Sequence, residues 1–498
     1  MAFAVNFPLF SIILSLFSGP VSTALSAKKA RILNRFVILA IGTMMVCLLF
    51  YCIKTGEVYV YKMGHFPSPW GNEIRIGILE AFMAVFFCVI MFLSMMGGSL
   101  ELEAEIEKSK KNLYYVMVNL LLSSLIALVF TNDIFTAYVF VEINTISACG
   151  LIMSRQSGRS LEAAMRYMIM SLIGSGMLLL GICYLYSVTG ELLMSPIKEQ
   201  VSILMEEGTY RMPLMLAIGL MAIGLAIKSA LYPFHTWVPN AYGNATLSSQ
   251  AILSSLVSKG YILLLIKIFL RVIGMKTMWQ SGVLNVLFVF GIMGMIMGSV
   301  HTMNAPDINS MISYSSVAQI GYIYMGIGLG TTYGLVASVY HIICHGATKS
   351  LLFLSASGLS QASDTHKDFK ALTGSGHRNI LAGAAFSVGA LSMVGIPMFA
   401  GFISKYLFAE AAAVSTNKLL PTMIALALST ILNTVYYLKT MIRIYTDTEG
   451  TDTKQRIRPK DQMAKSIAII LLSVLNIFLG LFSEPVIALI EKGVSLFA

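Results

Sequence analysis

A run of about 20 apolar residues recurs along this chain from one end to the other, separated by short polar links. Each run is long enough to cross a hydrocarbon layer of roughly 30 Å as a helix rising ~1.5 Å per residue. Helices are favoured over barrel strands because the runs lack a two-residue alternation, and because a backbone in lipid must satisfy its own polar groups. Only 12% of the 498 residues are charged and the mean hydropathy is +0.78, values that exclude a soluble globular domain. The expected fold is an all-α polytopic membrane protein of about fourteen spans.

The first run, residues 3–20, is followed by STALSAKKAR. Its positive charges come after the apolar stretch and none before it, the reverse of a cleaved leader, so it reads as the first span. The formal charge of +10 is spread over many short loops, which argues for topology signals and against nucleic acid as a partner. One set of alternate loops holds roughly twice the Lys/Arg of the other; placing the richer set in the cytoplasm puts both termini outside. The cysteines Cys47, Cys52, Cys88, Cys149, Cys183 and Cys344 are scattered without metal-binding or redox spacing and read as small apolar residues.

Hydropathy divides the chain into a three-span region (1–112), two five-helix units (113–275 and 276–445) and a C-terminal span (446–498). Spans seven and twelve, near 213–246 and 381–414, are interrupted. The first contains GLAIKSALYPFHTWVP, with Lys228, Pro233, His235 and Pro239; the second contains VGIPMFAGFISKYLF, with Pro397, Gly401 and Lys405. The two lysines stand at similar offsets from the starts of spans four and nine. A repeat of spans 4–8 in spans 9–13 explains the match, and an odd number of spans per repeat makes the copies inverted. Proline alone is common enough in membrane helices to account for either break. Matched breaks that each carry a lysine point instead to an ion or substrate site near the membrane midplane.

Other ionisable residues fall at span centres. Glu142, in YVFVEINTISACGLIM, needs a partner or a proton there, and Lys228 of the same unit is the natural candidate. Lys259 lies mid-span in LSSLVSKGYILLLIKI, whereas Lys267 and Arg271, nearer the helix end, are expected to snorkel to the interface. HIICHGATKSLLFL places His341, His345 and Lys349 at i, i+4 and i+8, on one helical face. Without HExxH or a further ligand, a metal is disfavoured and a proton-carrying stripe is preferred. His235 reads equally well as a relay group or as a histidine bonding carbonyls freed at the break. Each buried charge costs at least ~2.5 kcal/mol at a helix centre, so static ion pairs explain two of these residues far more readily than all seven. A buried lysine gives up its proton more easily and a nearby carboxylate opposes that, which makes Glu142 with Lys228 a candidate switch.

These motifs resemble those of the antiporter-like proton-translocating subunits shared by respiratory complex I, membrane-bound hydrogenases and Mrp-type cation/proton antiporters, from about span three to span thirteen. The FVFVE-like glutamate corresponds to Glu142 and the KSALYPFHTWVP segment to Lys228, Pro233, His235 and Pro239. The span-eight lysine corresponds to Lys259, HxxxHxxxK to His341, His345 and Lys349, and GIP…GFISK to Pro397 and Lys405. PDINSMISYSSVAQIGY, from Pro306 to Tyr322, resembles the family's cytoplasmic turn into span ten. The resemblance, strongest to the Mrp D-type subunit, implies fourteen spans, inverted repeats and a polar central axis in the inner (cytoplasmic) membrane. It implies paralogous membrane subunits as partners, leaves open a peripheral arm with iron–sulfur clusters, and implies no cofactor or active site in this chain. Met398 replaces the second proline of a usual pair, and Ile308 and Asn309 stand where basic residues are common. Ending about ten residues after span fourteen, the chain is expected to lack the long lateral helix of the largest paralogue. The charged loop ELEAEIEKSKKN, from Glu101, reads as a solvated loop or a partner dock. The competing overall reading is a membrane anchor for a redox or hydrogenase module, with its charges locked in static pairs.

Overall fold

The fold is that of a computed structural model describing residues 2–63, 66, 71–446 and 457–497. It begins with α1 (Phe7–Ala24), α2 (Ala27–Thr55) and α3 (Ile78–Gly97). A short α4 (Ser99–Glu105) follows. Next come α5 (Lys111–Phe130), α6 (Ile134–Met153), α7 (Gly158–Thr189), α9 (Arg211–Lys228) with α10 (Val238–Asn244), and α11 (Leu247–Ile252) running on into α12 (Ser258–Ile268). After them come α14 (Val283–Met303), α15 (Ile308–Gly328), α16 (Thr332–Gln361), α18 (Ile380–Val394) with α19 (Ala400–Val414), and α20 (Leu419–Tyr445); α17 (Ser375–Arg378) is a single turn ahead of α18. The last long helix is α21 (Met463–Leu481).

Helix starts carry side-chain caps that occupy backbone donors left free in a first turn. Asp133 accepts from Thr136 N at 2.5 Å, Asp307 from Asn309 N and Ser310 N at 2.9 and 3.0 Å, and Thr331 from Gly334 N at 3.0 Å. Among the described residues eleven helices are long and apolar enough to cross a membrane, fewer than hydropathy suggested. The three expected spans outside that set are the chemically unusual ones. Span ten (α15) is rich in serine, span twelve is split between α18 and α19, and span eight is cut by π-helical turns at Leu253–Val257 and Phe269–Ile273. α16 is buried almost throughout and forms the hub, packed by α15, α18, α19 and α21.

Several elements were not anticipated. β1 (Tyr59–Lys62) and β2 (Glu73–Ile76) pair antiparallel, Tyr59 opposite Ile76, between α2 and α3. α8 (Met194–Glu207) and α13 (Met275–Ser281) lie in the links before α9 and α14. α22 (Ser483–Phe497) is a separate amphipathic helix that buries Val486, Ile490 and Val494, so the C-terminal region holds this helix as well as a last long helix that stops at Leu481.

The charged loop is tied into its own chain. Its first half lies in α4, and its carboxylates clamp the ends of distant spans. Glu101 pairs with the buried Lys465 of α21 and accepts from Gln361 Nε2 at 2.7 Å at the end of α16. Glu103 meets Arg31 of α2 at 2.9 Å and Lys111 of α5 at 2.6 Å, and Glu105 meets Arg155 at 3.2 Å. Burial pushes the Glu105 carboxyl above the usual carboxylate range, and Arg155 and Lys367 pull against that shift.

Candidate functional site

α9 stops at Lys228, whose backbone carbonyl is one of the four that a helix C-terminus leaves without an intrahelical donor. The chain then turns through Ala230 in the left-handed region (φ +66) and a cis Tyr232–Pro233 bond, and α10 restarts with Pro239 in its first turn, where a missing N–H costs nothing. Lys228 points inward. Its Nζ donates to Thr145 Oγ1 at 2.7 Å, stands 5.4 Å from the centre of the Tyr261 ring and lies 4.0 Å from Glu142 Oε1. The last distance is beyond hydrogen-bond range, and Glu142 Oε1 is buried without a donor among the described residues. The Glu142 side chain is 26% exposed while Lys228 is fully covered, so the carboxylate stands at the edge of the bundle and the ammonium inside it. Tyr261 OH bonds Asn144 Oδ1 at 3.0 Å, and Asn144 bonds Ser124 Oγ at 3.0 Å, extending the polar cluster across α5, α6 and α12.

Lys259 lies at the start of α12 between the two π-helical turns, an arrangement that widens the helix and frees carbonyls. Its Nζ donates to one of those carbonyls, Ser254 O, and to Ser258 Oγ at 3.1 Å. Around it run hydroxyls from four helices: Ser254 to Ser316 at 3.2 Å, Ser255 to Ser350 at 2.9 Å and Ser94 to Ser350 at 3.1 Å. On α16, Lys349 donates to Ile312 O at 2.9 Å and Ser315 Oγ at 2.5 Å. His345 is fully buried within electrostatic reach of both Lys259 and Lys349, and neither of its ring nitrogens has a hydrogen-bond partner among the described residues. One turn along, His341 stacks parallel to it (6.0 Å, 10°), shares a hydrogen bond with Ser404 Oγ at 2.5 Å through Nδ1 and leaves Nε2 buried and unpartnered among the described residues.

The second break mirrors the first. α18 ends at Val394, Gly395 takes φ +88 and Met398 φ +77, and Pro397 sits between them. Lys405 reaches back from α19 to the end of α18, donating to Val394 O at 2.6 Å, to Thr430 Oγ1 at 2.9 Å, and standing 5.8 Å from the centre of the Tyr322 ring. A cation on the C-terminal carbonyl of a helix is favoured by the helix dipole. Tyr322 in turn stacks on His341 at 5.5 Å, 25°, which joins the α16 histidines to the Lys405 site.

Of the seven residues singled out from the sequence, Lys259, Lys349, His345, His341 and Lys405 follow one another within electrostatic reach, and Glu142 and Lys228 form a separate contact at the first break. Two expectations were wrong. Lys267 does not snorkel: it is buried and donates to Leu128, Val129 and Thr131 carbonyls at 3.2, 2.8 and 2.6 Å, capping the end of α5. Arg271 is also buried, 5.9 Å from the Phe497 ring centre. Arg271 is covered by Phe497 of α22 and Lys267 by the end of α5, where hydropathy placed the interface. The ring of His235 lies within reach of the Pro233 backbone at the break, its Nδ1 is buried without a hydrogen-bond partner among the described residues, and it stacks on Tyr232 (5.1 Å) and lies 5.5 Å from the ring of His301. Sequence reasoning missed the neutral partners Thr145, Tyr261, Ser404, Tyr322 and Thr430. The density of serine in spans eight and ten signals the hydroxyls around Lys259 and Lys349, Ser254, Ser258 and Ser315 among them, and not these five. Among the described residues no group of three or more His, Cys, Asp or Glu is placed to hold a metal.

Residues 131–433 match the family described as NADH:quinone oxidoreductase/Mrp antiporter, TM. The chain is 28% identical over 447 residues to NADH-quinone oxidoreductase subunit N of Desulforudis audaxviator, covering 87% of this chain and 86% of that one. It is 23% identical over 438 residues to the D-type subunit of the Na(+)/H(+) antiporter of Alkalihalophilus pseudofirmus, covering 86% and 84%. In fold it matches a chain of the Mrp complex from Dietzia sp., with a TM-score of 0.88 at 21% identity over 99% of this chain and 97% of that chain.

Proposed function

The chain belongs to the membrane family shared by NADH:quinone oxidoreductases and Mrp antiporters, and on that premise we propose that it moves protons along the buried row Glu142, Lys228, Lys259, Lys349, His345, His341, Lys405, as one subunit of a larger membrane complex. The observation that carries this reading is the contact between Glu142 and Lys228. At 4.0 Å it is too long for a locked ion pair, and the lysine's hydrogen bond goes to Thr145 instead. Moving the carboxylate closer favours the ammonium; moving it away favours release of the proton toward Lys259. His345 and His341, with three ring nitrogens lacking partners among the described residues, supply groups that both accept and donate on the way to Lys405. Buried polar atoms need partners, and water is the one that fits between them.

In the same reading the chain crosses the membrane fourteen times, with α5 to α12 and α14 to α20 as inverted repeats and both termini outside the cytoplasm. The neighbours are paralogous antiporter-like subunits. The relatives include both N-type and D-type subunits. Lys405 on the second break suits the D-type resemblance and some complex I subunits alike, so it does not choose between an antiporter and a redox complex. The alternative, a static anchor, is favoured at Lys405, where every partner is neutral and in bonding range.

The test is proton movement in sealed vesicles containing the assembled complex. Lys228→Ala and Glu142→Ala are expected to reduce proton-coupled transport at least ~10-fold with the composition of the complex unchanged on a native gel. Normal pumping by an assembled variant rejects the assignment.

A further inference from the structure

An apolar cleft of about 660 Å³ opens sideways at mid-membrane depth between α2, α3 and α21, floored by Gly42 and walled by Leu39, Val46, Val89, Leu475 and Phe478. The one hydroxyl in it, Thr43, is turned back onto its own helix, bonding Ala40 O at 2.8 Å, so the occupant at this depth is hydrocarbon. Acyl chains fit.

The cytoplasmic end of the same α2 face, on the orientation proposed above, selects the headgroup. Arg35 precedes Leu39, Gly42 and Val46 by four, seven and eleven residues, and Lys28 precedes Arg35 by seven, so both stand in line above the cleft. Neither has an ion pair among the described residues. The acid at this rim, Glu103, is already held by Arg31 and Lys111, and Lys460, exposed at the approach to α21, adds a further positive charge. Basic residues just cytoplasmic of a span attract anionic lipid.

We propose that this cleft is a binding site for an anionic phospholipid, its acyl chains against Gly42 and its phosphate on Arg35 and Lys28. The test is native mass spectrometry of the detergent-purified complex, with phosphatidylglycerol or cardiolipin retained after washing as the readout. The wild type is expected to keep such a lipid. Arg35→Gln with Lys28→Gln is expected to lower its retention about five-fold, and Gly42→Leu, which grows a side chain into the cleft, to do the same. Gly176→Leu, placed on α7 where an added Cβ meets nothing within 4 Å, is expected to change nothing. Equal retention of zwitterionic phosphatidylethanolamine, or retention unchanged in both variants, overturns the proposal. So does efficient disulfide capture of a neighbouring subunit by Leu39→Cys, which would mean that a protein helix covers the cleft. Lys28→Gln alone, at the exposed start of α2, is expected to lower retention in the same direction, which keeps the test decisive if Gly42→Leu fails to assemble.

Discussion

The two broken helices house their lysines in nearly the same cage and differ in one residue. Lys228 and Lys405 each donate to a threonine hydroxyl, Thr145 at 2.7 Å and Thr430 at 2.9 Å, and each stands over a tyrosine ring, Tyr261 at 5.4 Å and Tyr322 at 5.8 Å. Thr145 and Tyr261 come from spans five and eight, Tyr322 and Thr430 from spans ten and thirteen, so the two roles change places between the halves. The hydroxyl and the ring hold an ammonium without adding charge, since a π face attracts a cation and an oxygen accepts its proton. What breaks the likeness is Glu142. The first lysine has a carboxylate at 4.0 Å; the second has the carbonyl of Val394 at 2.6 Å and, beyond Tyr322, a histidine. On the proposed reading, the shared geometry is a place to keep a proton, and the single acid makes the first of these places adjustable from the side where Glu142 is partly exposed.

Removing one lysine at a time sets the halves against each other. If the row acts as one path, Lys405→Ala reduces transport as severely as Lys228→Ala, at least ~10-fold, and the double variant is no worse than either, since residues that act as a unit are not additive. If Lys405 is a static cap, Lys405→Ala lowers the thermal midpoint of the complex while flux per assembled complex stays near wild type. Vesicle transport normalised to the amount of assembled complex separates these outcomes.

The breaks themselves differ in what holds them. A Cβ at Gly401 would lie 1.8 Å from Ser392 O, a backbone atom that cannot step aside. In the first break the left-handed residue is Ala230, and Gly243, in the helix that follows it, has open space around it. Gly401→Ala is therefore expected to destabilise the assembled complex by ~1–3 kcal/mol, seen as a lowered melting temperature. Gly243→Ala is expected to be neutral or slightly stabilising. Equal melting temperatures would mean that α18 and α19 shift freely against each other, and the second break would then be as adaptable as the first.

Both lysine cages were half legible in the sequence, and the missing halves share a cause. Hydropathy measures depth along a span, and at mid-depth a charge must be functional or paired, so Glu142, Lys228, Lys259, Lys405 and the α16 stripe stood out. It does not measure azimuth. Thr145 and Thr430 are unremarkable as single letters, and only packing turns their hydroxyls onto a lysine. Lys267 and Arg271 looked interfacial because their distance from the helix end was all that could be read. Arg271 is covered by Phe497 of α22, more than 200 residues later in the chain, and Lys267 by the end of α5, more than 130 residues earlier. The clamp from Glu101 to Lys465 was illegible for the same reason: a charge run is judged by its neighbours in sequence, whereas the partner of Glu101 lies 364 residues away. Matched breaks survived because each is a local event, a proline and a lysine within one segment.

The smallest expected effect tests the cages directly. Thr145→Val and Thr430→Val keep the shape of each side chain and remove one acceptor, worth ~1.5–3 kcal/mol to a charged donor when lost from a buried site. Lys405 retains Val394 O as an acceptor, so Thr430→Val should slow transport only about two-fold. Lys228 has no other hydrogen-bond acceptor among the described residues, and with Thr145 gone the ammonium's nearest anion is Glu142. Thr145→Val should therefore draw the pair together and slow release, about three- to ten-fold in transport rate. Combining it with Glu142→Gln removes that attraction, so if the pair acts as a switch the double variant transports no more slowly than Glu142→Gln alone. A further multiplicative loss in the double variant would show that Thr145 serves Lys228 independently of the carboxylate, and the asymmetry between the two halves would then have to be sought elsewhere than in Glu142.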